Sequence, residues 1–96
     1  MADLKMKIFK YKLQITDIQE IEIPEFSNIL AAQMQHGELQ LWVAVNEKFQ
    51  TYRQKIALYG TGNEITGYPG RYVSTVQLYN GDLVFHVFAL EPGIKK

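Results

Sequence analysis

His86 stands in the middle of an apolar run, NGDLVFHVFAL, from Asn80 to Leu90. A histidine acting as a general base needs a nucleophile or an orienting carboxylate, and no paired motif accompanies this one. A histidine acting as a metal ligand needs companions, and the one other histidine, His36, falls at a turn. Its surroundings assign His86 first to a covered, hydrogen-bonded layer. Contact with a ligand through one ring nitrogen comes second.

The second chemical candidate is the glycine-rich stretch LYGTGNEITGYPGRY, Leu58 to Tyr72. It is not a dinucleotide fingerprint, because Ile65 occupies the third glycine position. It is not a P-loop either, because no Gly-Lys-Ser/Thr follows. Two readings remain. Backbone amides near Thr61, Asn63, Tyr68, Arg71 and Tyr72 can form an anion-binding concavity, with Arg71 as the charge and the tyrosines as stacking platforms. The candidate ligand contacts are then Tyr59, Gly60, Thr61, Gly62, Asn63, Arg71, Tyr72 and His86. Alternatively, Gly60, Gly62, Gly67 and Gly70 serve sharp turns only.

Nothing else suggests catalysis. Asp17, Glu20, Glu22, Glu25, Glu38, Glu47, Glu64, Asp82 and Glu91 are scattered over turns and polar faces, without an acid–base pair. Ser27 and Ser74 lack a nucleophile-elbow context. With no cysteine there is neither thiolate nucleophile nor disulfide framework. The expectation is a protein that is not an enzyme, with no metal and no cofactor. The six tyrosines, five phenylalanines and one tryptophan are more informative. Tyr52, Tyr59, Tyr68, Tyr72 and Tyr79 fall around the glycine stretch, either as a binding surface or through ordinary strand preference.

The charges balance, ten basic against ten acidic residues. A nucleic-acid partner is not expected, since phosphate binding needs an excess of lysine and arginine. No apolar run approaches the length of a membrane helix, and the first residues do not read as a secretory signal.

The elements that must position these residues are strands. Phe9, Tyr11, Leu13 and Ile15 alternate with Lys10, Lys12 and Gln14, and Ile21 and Ile23 alternate with Glu20 and Glu22. A turn at Thr16-Asp17 would join the two as a hairpin, its lysines facing glutamates. A second hairpin turns at His36-Gly37, with Leu39, Leu41, Val43 and Val45 on one face and Trp42 on the other. NEKFQTY reads as a loop, RQKIALY as a strand, and Gly60 to Gly70 as an ordered surface loop. A third hairpin turns at Asn80-Gly81, and EPGIKK is a tail. The expected fold is all-β: one domain over residues 1–96, an antiparallel sandwich or small barrel of about seven strands built from consecutive hairpins.

The last strand is apolar on both faces: Leu83, Phe85, Val87 and Ala89 on one, Val84, His86, Phe88 and Leu90 on the other. The second face needs cover from a loop, a barrel wall or a second subunit, and the simplest expectation is a homo-oligomer.

The segments MKIFKYKLQITDIQEIEIP, LYGTGNEI and YVSTVQLYNGDLVFHVF resemble a family of short, mostly bacteriophage-encoded proteins of unknown function. YGTG and GDLVFHVF carry most of the likeness, which spans nearly the whole chain. The resemblance implies a phage accessory protein working in the host bacterial cytoplasm, and it brings no catalytic residues. On that basis the expected function is counter-defence by sequestering a small, anionic, nucleotide-derived signalling ligand. The alternative is an inhibitor that lays a strand edge or the Trp42 face on a host protein.

Overall fold

Among the described residues seven strands form: β1 (Lys7–Leu13), β2 (Ile18–Pro24), β3 (Asn28–Gln35), β4 (Glu38–Val45), β5 (Thr51–Gly60), β6 (Arg71–Leu78) and β7 (Leu83–Ala89). The structure, a computed structural model, describes residues 5–90. Glu91 and the rest of the expected tail lie outside the described residues. The strands make two antiparallel sheets, one ordered β1-β4-β3 and the other β2-β5-β7-β6. Among the described residues no helix is long and apolar enough to cross a membrane.

Alternation determines which side chains meet. Leu39, Leu41, Val43 and Val45 of β4 are buried, as are Ile56 and Leu58 of β5, Val76 and Leu78 of β6, and Val87 and Ala89 of β7. These belong to one hydrophobic cluster drawn from both sheets, so the all-β expectation holds and the form is a sandwich. Each large side chain removed from water contributes about 1.5–3 kcal/mol. Trp42 is half-buried on the outer face, where Lys10 Nζ sits 5.9 Å from its ring centre.

Two of the three expected hairpins form. His36 and Gly37 both have positive φ (53° and 79°), and Gln35 pairs with Glu38 across this two-residue turn. The β6–β7 turn runs through Tyr79, Asn80 and Gly81, all with positive φ, and closes with the Asp82 amide donating to the Tyr79 carbonyl.

The hairpin at Thr16-Asp17 does not form. β1 pairs with β4 and β2 with β5, so the chain passes from one sheet to the other between them. A side-chain bracket holds this link: the Gln14 amide donates to Gln19 Oε1 (2.9 Å), and Gln19 Nε2 donates back to the Gln14 carbonyl (2.8 Å). The β1 lysines and β2 glutamates therefore find other partners. Lys7 meets Glu47 at 3.0 Å, Lys12 meets Glu38 at 3.2 Å and Glu20 meets Arg53 at 3.4 Å.

The two flanks of the sandwich differ. On one, β3 lies along β6, and the Ala32 amide donates to Ser74 Oγ at 2.9 Å. Both strands carry a bulge there, between Ile29 and Ala31 and between Tyr72 and Ser74. On the other flank, β1 and β2 each hydrogen-bond to a single neighbouring strand.

Candidate functional site

The outer face of the four-stranded sheet holds the sequence candidates. Register places Tyr59, His86 and Thr75 in one row across β5, β7 and β6, and Ala57, Phe88 and Tyr72 in the next. In a regular strand, residues three apart point to opposite faces. The bulge in β6 accommodates one extra residue, Val73, and so brings Tyr72 and Thr75 onto the same face.

That bulge completes a hydrogen-bonded chain. His86 Nε2 lies 2.8 Å from Thr61 Oγ1, and His86 Nδ1 lies 3.0 Å from Thr75 Oγ1. Thr75 Oγ1 is in turn 2.7 Å from the Tyr72 hydroxyl. A neutral imidazole offers one donor and one acceptor, and hydroxyls serve as either, so every link can be made at once. His86 is thus half-buried with both nitrogens engaged by hydroxyls, the covered-layer role expected first.

Aromatic rings form the wall beside this chain. Phe88 meets Tyr59 and Tyr72 edge to face, each with ring centres 5.7 Å apart. Such pairs add about 0.5–1.5 kcal/mol beyond their burial. Together with Gly60, Thr61, Gly62, Asn63 and Ile65, they bound an open recess of about 220 Å³. Val84, His86, Phe88 and Leu90 are all half-buried within a single chain. The second face of β7 therefore receives cover from its own glycine loop and tyrosines.

Seven of the eight sequence candidates, Tyr59, Gly60, Thr61, Gly62, Asn63, Tyr72 and His86, line this one recess. Arg71 does not. It is the first residue of β6, adjacent to Tyr72, so alternation sends it to the opposite face. There it lines a separate groove of about 660 Å³ with Glu25, Phe26, Tyr52 and Gln54. That groove is larger but lies away from His86, and it runs up to Leu90, where the described residues end. Gln54 is committed within it, accepting from the Tyr52 hydroxyl and donating to the Leu90 carbonyl at 2.6 Å.

The anion-binding reading of the glycine loop weakens for a second reason. The Thr61 amide donates to the Val84 carbonyl and the Asn63 amide to the Gly60 carbonyl, so both are spent on the fold. The tyrosines do not gather as a group either. Tyr68 and Tyr79 are exposed and Tyr52 lines the other groove, which leaves Tyr59 and Tyr72 in the recess. Sequence reasoning did not place Phe88 or Ile65 there, nor join Thr75 to His86 behind it. Phe88 was legible from its two-residue spacing to His86, whereas Thr75 depends on the bulge. Among the described residues no group of three or more histidines, cysteines or carboxylates could hold a metal ion.

These features define a small two-sheet β-sandwich with an aromatic, hydroxyl-lined recess on the outer face of its larger sheet. The chain belongs to a family known as a domain of unknown function, DUF7352, whose model matches residues 5–95. No curated protein and no solved structure matches it.

Proposed function

We propose that the protein is a non-enzymatic binding protein whose recess takes the planar ring system of a small nucleotide-derived ligand. In this reading a bacteriophage uses it as an accessory factor, withdrawing a signalling ligand inside its bacterial host. The observation that carries the proposal is the lining. Tyr59, Tyr72 and Phe88 offer aromatic surface beside the His86–Thr75 hydroxyl chain, and among the described residues no lysine, arginine or carboxylate lines the recess. Such a surface favours an uncharged heteroaromatic ring over a phosphate. Its volume of about 220 Å³ falls below the roughly 300–1,000 Å³ of pockets that enclose a whole small molecule. The ring enters, and the sugar and phosphates remain at the rim.

The test is uptake. The purified protein is incubated with a panel of cyclic and adenine-derived nucleotides, separated from free ligand and heat-denatured, and the released material is identified. Intact ligand supports sequestration, and an altered product identifies an enzyme instead. No uptake, with a host protein retained on the chain, identifies the inhibitor reading. Tyr72 is 53% exposed, so Tyr72→Ala should cost the fold little beyond its contacts with Phe88 and Thr75. A lost stack costs about 1–3 kcal/mol per base, so affinity should fall by about fivefold to 150-fold. Arg71→Ala should leave affinity unchanged, and a loss there would move the site to the larger groove.

A further inference from the structure

The two flanks of the sandwich end differently, and this asymmetry points to a partner. Where β3 lies along β6, the flank is sealed by the Ala32–Ser74 hydrogen bond. At the other flank β1 and β2 leave their outer edges without a strand neighbour among the described residues. The two edge strands are equal in length, seven residues each. Their core-side residues Phe9, Tyr11 and Ile21 pack against the core but stay only partly buried. Around them Met6, Ile8, Ile15 and Ile18 are exposed at 48%, 64%, 46% and 54%. The flank has the apolar character of an interface.

Its charges select the partner. On the outer face β1 presents Lys10 and Lys12, and β2 presents Glu20 and Glu22, all exposed. Pairing β1 with a second β1, or β2 with a second β2, would set like charges side by side, which is unfavourable. Pairing β1 with β2 of another copy sets lysine beside glutamate on a shared outer face. A two-fold axis running along the strands makes that contact twice, once in each sheet.

We infer that this flank joins two copies of the chain, β1 of each pairing antiparallel with β2 of the other, so that each three-stranded sheet continues into the partner's four-stranded sheet. The contact leaves the aromatic recess open, because that recess lies on β5, β6, β7 and the glycine loop.

Sedimentation of the full chain at micromolar concentration tests this, with ligand uptake measured in parallel. The wild type should be a dimer. Lys10→Glu with Lys12→Glu should give a monomer, and Glu20→Lys with Glu22→Lys should do the same. Mixing those two proteins should restore a dimer containing one copy of each, since every β1–β2 contact again joins opposite charges. A wild-type monomer overturns the inference without reference to any variant. An oligomer that survives both charge sets overturns it as well. Uptake that persists in monomeric variants shows that the recess reading stands independently of the dimer.

Discussion

Ser74→Ala is the sharpest probe of the sealed flank. Ser74 Oγ accepts the Ala32 amide at 2.9 Å, and Ala32 is 1% exposed. Removing the hydroxyl leaves the amide of a buried residue without its partner. The cost is the desolvation of that amide, about 1–3 kcal/mol, rather than the smaller net value of an average hydrogen bond. In a domain of this size each kcal/mol lowers Tm by about 4–8 °C. Urea unfolding of wild type and variant gives the free energy, with an unchanged slope expected because the buried surface is nearly the same. Hydrogen exchange at the Ala32 amide provides a local readout: its protection should drop more than that of Leu41 in the neighbouring strand. A variant within about 0.5 kcal/mol of wild type, the usual range for neutral surface changes, with Ala32 still protected, would refute the claim that this bond ties the two sheets.

Gly70→Ala should destabilise far more than Gly67→Ala. Both residues have positive φ (100° and 78°), but a Cβ at Gly70 would lie 2.5 Å from the Ala89 carbonyl oxygen, whereas Gly67 meets nothing within 4 Å. The conformational cost at each is about 1–2 kcal/mol, and overpacking adds roughly 1–3 kcal/mol at Gly70 alone. Equal unfolding free energies for the two variants would contradict this. Burial, reinforced by the Glu47 carboxylate, raises the Tyr11 phenol above its ordinary 10.0. The folded state then keeps its proton where the unfolded chain has lost it. Stability from this group is complete below pH 10 and is lost as pH rises through the folded value. Tyr11→Phe should flatten the alkaline limb of the stability profile, and an unaltered limb would count against it.

How much could be read in advance varies with sequence distance. The turns at His36-Gly37 and Asn80-Gly81 were legible because their requirement for positive φ is local. The burial of Leu39, Leu41, Val43 and Val45 follows from period-two alternation within one strand. The pairing of β1 with β4 was not legible, since it joins residues about thirty positions apart and depends on which apolar face competes best for Phe9, Tyr11 and Leu13. The lysines and glutamates of β1 and β2 suggested a hairpin, yet exposed pairs contribute too little to choose a topology. The recess was found through its glycines and tyrosines, but Arg71 was wrongly grouped with them. It looked like a loop residue, and it becomes a strand residue only because β6 begins there. Buried Gln54 carried no sequence signal, as its role depends on the carbonyl of Leu90 arriving from the far end of the chain.

The position of β7 has a consequence for biogenesis. It is the last of the seven described strands to be synthesised, yet it occupies an interior place in its sheet, between β5 and β6. Until it arrives, β6 has no ladder to join, and β5 exposes one whole side. Most of the other pairings are also remote, with β1 waiting for β4 and β2 for β5. The larger sheet therefore cannot assemble in full until β7 has been made, and folding then proceeds on the millisecond-to-second scale typical of β-sandwiches. A truncation that removes Leu83–Ala89 would split the larger sheet, parting β6 from the β2–β5 pair, rather than trim its edge.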